Sequence, residues 1–144
     1  MQLRVFRLRV RKYMDRIFPS EIIGIKNAIE DMRKEGIVLL AYLYGSYAKG
    51  EQHTRSDIDI AVYLNIKTED ESIDAIDRIV MASDRNVEIL LLNDNDESPF
   101  IIQEALKGIP LIEPDEETLY RLYDYALHET ESIRFKREFA YETR

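Results

Sequence analysis

The chain has 144 residues, the size of one ordinary domain, with 45% hydrophobic and 33% charged residues, which predicts a packed core under a well-solvated surface. It has no cysteine, which excludes disulfides, thiolate metal sites and thiol redox chemistry. No apolar run approaches the roughly 20 residues that cross a bilayer, so we expect a cytoplasmic protein that does not associate with a membrane.

The formal net charge of -8 is distributed unevenly along the chain. Residues 1–16 contain six basic residues and one acidic residue, so the remaining residues carry 13 excess negative charges. Such a surface repels a phosphate backbone, and we expect no non-specific nucleic-acid binding. We divide the chain into a basic N-terminal arm, 1–19, and a single domain, 20–144, that ends in a long helix. A partner-docking helix, a membrane-surface helix and a solvated extension all remain open for the arm.

Apolar periodicity predicts an alternation of helices and strands along the chain. In the arm, apolar residues recur at helical spacing from Leu3 to Ile17. After Pro19, the predicted elements are, in order, a helix over 20–34, strands over 37–44 and 57–63, a helix over 71–84, a strand over 86–92, a helix over 99–107, a short edge strand over 110–113 and a helix from 116. This order predicts an α/β (α+β) fold in which helices flank a mixed β-sheet.

Two aspartates begin the second predicted strand. Because side chains alternate across a strand, Asp57 and Asp59 project from the same face, roughly 7 Å apart. Two neighbouring carboxylates repel each other unless a cation lies between them. Magnesium prefers oxygen ligands and is often shared between carboxylates and substrate phosphates. The pattern therefore predicts a magnesium site that also receives phosphates.

The turn after the first predicted strand has the composition of a phosphate-binding loop. Gly45 allows the backbone to approach a ligand or to adopt a positive φ, and the Ser46 hydroxyl and the following amides can donate to phosphate oxygens. If a short helix begins within residues 48–51, its N-terminal dipole adds to this attraction, and Lys49 adds a positive charge. We predict that Gly45, Ser46 and Lys49 bind the phosphates of a ligand.

Glu88 supplies a third carboxylate, within the otherwise apolar strand over 86–92. Burying this charge alone would cost several kcal/mol, so we expect it to share metal with Asp57 and Asp59. An exposed edge strand, which could carry the charge without cost, is the alternative. Three carboxylates around two magnesium ions predict in-line displacement at phosphorus.

Gly45-Ser46, ten intervening residues and Asp57-Ile58-Asp59, with an acidic residue on a later strand, resemble the DNA polymerase β-like nucleotidyltransferase superfamily. Within it, the chain looks most like the minimal nucleotidyltransferases, which often act as antitoxins beside a helical HEPN ribonuclease toxin. The resemblance spans about residues 20–113. It implies ATP as substrate, triphosphate contacts from Ser46, and metal binding and catalysis by Asp57, Asp59 and Glu88. The third carboxylate of that family is more often aspartate than glutamate.

Three functions are compatible with this resemblance. The first is an adenylyltransferase that moves AMP from ATP to a protein hydroxyl, by family likeness a tyrosine of a HEPN toxin, and so acts as the antitoxin. The second is a non-catalytic antitoxin that neutralises its partner by binding. The third is transfer to a small molecule, although enzymes of that kind usually carry a further helical domain. A homo-oligomer and a hetero-oligomer with the toxin both remain open.

Overall fold

The computed structural model describes residues 18–52 and 56–142, with side chains through residue 138. The helix predicted within the basic arm therefore lies outside the described residues. The described elements are, in chain order, α1 Ser20–Lys34, β1 Val38–Tyr44, α2 Gly45–Lys49, β2 Ile58–Leu64, α3 Glu69–Val80, β3 Val87–Leu91, α4 Pro99–Leu106, β4 Ile109–Pro110 and α5 Glu116–Glu142.

The strands form one sheet in the order β3-β2-β1-β4. β1 runs antiparallel to both β2 and β4, whereas β2 and β3 run parallel. The C-terminal end of β1 therefore lies beside the N-terminal ends of β2 and β3, so these three strand ends are on the same side of the sheet. The expected mixed sheet flanked by helices is confirmed, and this topology brings the chemically informative residues of three strands together.

Apolar side chains cover both faces of the sheet. On one face, α1 packs against the strands through Ile22, Ile25, Ile29 and Met32, which are almost completely buried, and α3 adds Ile79. On the other face, α4 and α5 contribute a second cluster. Its helical members are Ile102, Ala105, Leu106, Leu119, Leu122 and Ala126. Each sheet face is thus buried by helices, which removes the apolar area of β1 and β2 from water.

Several element boundaries differ from the predictions. The short helix α2 begins at Gly45 rather than within 48–51, because the chain turns into it directly from β1. α3 spans Glu69–Val80 rather than 71–84; Thr68 accepts a hydrogen bond from the Glu71 amide at its start. After Val80 the chain leaves the helix through turns, where the Arg85 amide donates to the Ser83 hydroxyl.

The edge strand β4 has two residues, Ile109 and Pro110, rather than 110–113. They pair with Leu43 and Tyr42 of β1. Beyond them, the Leu111 and Asp115 amides donate to the β1 carbonyls of Ala41 and Leu39 without extending the regular strand. The long final helix starts at Glu116 as expected, and the Asp115 carboxylate accepts from the Thr118 amide at 3.2 Å. Within the described residues, no helix is both long and apolar enough to cross a membrane.

Candidate active site

Strand register places three side chains in a row across the sheet. Tyr44 of β1 pairs with Asp59 of β2, and Asp59 pairs with Glu88 of β3. Paired residues of neighbouring strands project from the same face, with Cβ atoms roughly 5 Å apart. The row therefore brings together a phenol and two carboxylates. Its outer members, Tyr44 and Glu88, lie 44 positions apart in sequence.

The backbone of Gly45 packs against the Asp59 carboxylate of this row. Its φ is +72°, a conformation that residues with a Cβ rarely adopt. A Cβ built at this position would lie 2.4 Å from Oδ2 of Asp59, far inside van der Waals contact. The turn between β1 and α2 thus passes directly over the Asp59 carboxylate, and only glycine permits both the turn and the approach.

The first turn of α2 lies beside the same carboxylate. Tyr44 is the N-cap residue and forms no side-chain capping hydrogen bond, and the first amides of a helix have no acceptor within it. Ser46, in this first turn, is partly buried. Lys49 is exposed and lies in the last turn of the helix, at the end opposite to Gly45. The amides near Gly45 and Ser46 can donate to anionic oxygens, whereas Lys49 lies farther along the helix.

Asp57 lies one residue before β2, outside the regular sheet. Its Oδ1 atom accepts a hydrogen bond from Nδ2 of Asn86 at 3.0 Å. The guanidinium of Arg85 donates to the carbonyl oxygen of Ser56 at 2.9 Å. Sequence reasoning missed Asn86, because no spacing rule connects it with Asp57; only the parallel pairing of β2 and β3 brings them together.

The carboxylates interact electrostatically. Burial raises the pKa of Asp59, and the charges of Glu88 and then Asp57, together with a hydrogen bond to Glu88, raise it further. Burial, followed by the charges of Asp59, Glu88 and Glu97, raises the pKa of Tyr44 to about 12. The Tyr44 phenol is therefore neutral at physiological pH and stands beside an acidic cluster. Tyr44 is a second residue that sequence reasoning missed, although it directly precedes Gly45.

Glu88 reaches this cluster for a different reason from the predicted one. Its side chain is exposed and β3 is an edge strand, so the argument that burial would demand a partner for its charge was wrong. The exposed-edge alternative describes its surroundings correctly. Its register with Asp59, rather than burial, brings the two carboxylates together.

The donor chemistry of this cluster suits magnesium. Carboxylate oxygens are the ligands that this ion prefers. The pKa of Asp59 is raised first by burial and then by the charges of Glu88 and Asp57, and a bound cation would relieve this repulsion. Among residues 18–52 and 56–138, whose side chains are described, no group of three or more His, Cys, Asp or Glu is arranged to hold a metal ion. Asp57, Asp59 and Glu88 would therefore have to close around an ion on binding.

Comparison with known proteins identifies relatives of this fold. The model of the family described as polymerase beta, nucleotidyltransferase matches residues 26–117. No curated protein sequence matches the chain at a significant level.

Solved structures resemble the chain over most of its length. A crystal structure of a toxin–antitoxin with AMP-PNP has 22% identity and a TM-score of 0.61, covering 82% of this chain and 96% of that one. A structure of a tri-AMPylated Shewanella oneidensis HEPN toxin in complex with an MNT antitoxin has 19% identity and a TM-score of 0.56. It covers 83% of this chain and 94% of that one. A crystal structure of a toxin–antitoxin named MntA-HepT has 17% identity and a TM-score of 0.57, covering 84% of this chain and 96% of that one. These likenesses establish a shared fold.

Proposed function

Because the chain belongs to the polymerase beta nucleotidyltransferase family, we propose that it transfers AMP from ATP to a protein hydroxyl and acts as the antitoxin of a HEPN-type toxin. The observation that carries the proposal is the row of Tyr44, Asp59 and Glu88 across three strands, with the Gly45 turn directly over Asp59. A backbone turn pressed onto a carboxylate cluster provides a place where a triphosphate and its magnesium ions can bind together.

The residues of the α2 turn and the three carboxylates have different roles. The amides of the first turn of α2 and the Ser46 hydroxyl bind oxygens of the triphosphate. Lys49 adds positive charge near the outer end of the triphosphate. Asp57, Asp59 and Glu88 would hold the magnesium ions. Two such ions, when bound, stabilise the charge on the attacking oxygen and on the pyrophosphate leaving group.

The transfer itself is a displacement at the α-phosphorus of ATP. The acceptor hydroxyl oxygen forms a bond to this phosphorus, and the bond to the oxygen that bridges the α- and β-phosphorus atoms breaks. Pyrophosphate leaves, and the hydroxyl proton passes to Glu88, the most exposed carboxylate of the three, or to solvent. A carboxylate in this position serves as a general base when it lies within hydrogen-bond reach of the hydroxyl.

The position of the site favours a macromolecular acceptor. Glu88 is exposed on the edge strand β3, so this carboxylate is open to solvent at the margin of the sheet. A tyrosine on a folded partner can approach such an edge. Structural neighbours with AMP-PNP and with a tri-AMPylated HEPN toxin support ATP as the donor and a HEPN-type toxin as the acceptor.

Mass spectrometry of a HEPN-type partner tests the proposal. The partner, taken first from the gene adjacent to that of this chain, is incubated with the chain, magnesium and each nucleoside triphosphate in turn. We expect a gain of one or more AMP units on a tyrosine with ATP and the wild-type chain, and no gain with the Asp57→Ala, Asp59→Ala double variant. Asn65→Ala, at the far end of β2, is the matched control that retains activity.

Two outcomes would contradict the proposal. A stable complex without any modification, formed equally by the wild type and the double variant, would favour an antitoxin that neutralises its partner by binding alone. Pyrophosphate release that needs a small-molecule hydroxyl and leaves the partner unmodified would favour a small-molecule nucleotidyltransferase.

A further inference from the structure

We propose that Asn86 is a positioning residue that orients the Asp57 carboxylate for cation and nucleotide binding, an inference that rests on the proposed function. Asp57 needs such a partner because it precedes β2 and the sheet does not hold it. Asp59, by contrast, is paired with Tyr44 on one side and with Glu88 on the other.

Asn86 binds two consecutive residues through two different groups. Its main-chain carbonyl accepts from the Ile58 amide at 2.9 Å, and its Nδ2 atom donates to Oδ1 of Asp57 at 3.0 Å. Arg85 extends the contact by one residue, since its guanidinium donates to the Ser56 carbonyl at 2.9 Å. The three residues 56–58 are thus bound to the two residues before β3, which determines the direction of the Asp57 side chain.

The chemistry of an amide suits this role. A carboxylate has about four acceptor positions, so a single hydrogen bond from Asn86 leaves the others available to a cation. An arginine or lysine donor would offset the negative charge of Asp57 and compete directly with the ion. Asparagine orients the carboxylate and leaves its full charge in place, as residues that support metal ligands generally do.

Magnesium-dependent nucleotide binding tests the inference without relying on turnover. The probe is α,β-methylene-ATP, whose bridging carbon blocks transfer, titrated calorimetrically into the chain at a series of magnesium concentrations. For Asn86→Ala we expect the magnesium concentration for half-maximal binding to rise about 10- to 100-fold. We expect nucleotide affinity at saturating magnesium to change by less than about threefold, because the triphosphate contacts of α2 are untouched.

Two further variants separate positioning from folding. Asn86→Gln keeps a neutral donor on a longer side chain, and we expect a smaller shift in magnesium dependence than for Asn86→Ala. Asn65→Ala removes a comparable exposed hydrogen bond, from Nδ2 to the Gly36 carbonyl at 3.2 Å, at the opposite end of β2. We expect it to bind as the wild type does. The Ile58 contact uses the main chain of Asn86, so all these variants retain it.

The outcomes distinguish this inference from the proposed function. If the wild type binds the analogue only with magnesium, Asp57→Ala abolishes that binding and Asn86→Ala behaves as wild type, the positioning role is overturned and the proposed function stands. Equal losses for Asn86→Ala and Asn65→Ala would also overturn it. A wild-type chain that shows no magnesium-dependent binding would overturn both.

Discussion

The two ends of β2 differ in how their polar groups are paired. At the C-terminal end, the Asn65 amide donates to the Ile37 carbonyl at 2.7 Å, and the Asn93 side chain accepts from and donates to the main chain of Leu64. Each of these polar groups meets a complementary partner. At the N-terminal end, Asp59 lies among like charges, and its burial and neighbours raise its pKa.

This difference separates groups that stabilise the fold from groups that are available to a ligand. Complementary hydrogen bonds at the C-terminal end contribute to stability, each by about 1 kcal/mol. Clustered carboxylates reduce stability, and such perturbed groups concentrate at functional sites. The same strand thus connects a structural end and a reactive end, about 20 Å apart at its seven-residue length.

Removal of the charge on Asp59 is expected to give the largest effect. In Asp59→Asn the side chain keeps its size but loses the charge that holds a cation. A bound metal ion contributes several kcal/mol to transition-state stabilisation. We therefore expect AMP transfer to fall by about 10³-fold or more, measured as the initial rate of partner modification. A loss smaller than tenfold would show that Asp59 does not bind the metal.

The same substitution is expected to stabilise the fold. Because the pKa of Asp59 is raised in the folded chain, its ionised form destabilises the wild type at neutral pH. Without divalent cations, Asp59→Asn should raise the free energy of unfolding only modestly, because solvent screens the charge of this partly exposed carboxylate. This gain should disappear as the pH falls from the raised folded pKa towards the unfolded value of about 3.9. Urea denaturation at several pH values measures it; a variant less stable than wild type would contradict it.

A methyl group at Gly45 is expected to have the next largest effect. Gly45→Ala introduces a Cβ at 2.4 Å from the Asp59 carboxylate and forces a side chain into positive φ. We expect a loss of about 1–3 kcal/mol in stability from the strained backbone, and a further loss of transfer activity, on the order of tenfold or more, from the displaced carboxylate.

Gly50→Ala is the matched control for this change. Gly50 ends the same short helix with φ +71°, and a Cβ there meets nothing within 4 Å. It therefore carries the backbone strain without the clash. Similar stability losses with activity lost only in Gly45→Ala would isolate the Asp59 contact. Equal activity losses in both variants would contradict a specific role for the approach of Gly45 to Asp59.

The smallest effect is expected at the structural end of the strand. Asn93→Ala removes the hydrogen bonds to the amide and carbonyl of Leu64, at 3.4 and 3.1 Å. We expect a loss of about 1 kcal/mol in the free energy of unfolding and no change in magnesium-dependent nucleotide binding. Thermal denaturation and calorimetry measure the two quantities, and weaker binding in this variant would remove the distinction between the two ends.

Local pattern predicted most of the fold. The apolar stripe of Ile22, Ile25, Ile29 and Met32 indicated α1, and all four residues are buried in the structure. The continuous apolar run before Gly45 indicated a central strand, and β1 lies between β2 and β4. Boundaries were less predictable, as for α2, because helix starts and short strands depend on hydrogen bonds to distant segments rather than on periodicity.

The candidate site was predicted in part. Gly45, Ser46, Asp57 and Asp59 stand close together in sequence, so motif spacing was enough to predict them as one site, whereas strand alternation does not place Asp57, which precedes β2. Their roles, and those of Lys49 and Glu88, stay predictions. Glu88 was included for the wrong physical reason, since its side chain is exposed. Asn86 and Tyr44 were missed, because contacts between strands leave no signature in local spacing.

The sequence by itself determined the types and order of the elements and the local chemistry of the Gly45 to Asp59 segment, because periodicity, glycine and strand alternation act over a few residues. Only the tertiary structure decided which side chains meet. The register of β1, β2 and β3 sets Tyr44, Asp59 and Glu88 in one row, and the parallel pairing of β2 with β3 brings Asn86 to Asp57. Register depends on how whole faces of the sheet are buried, and burial is a property of the complete fold.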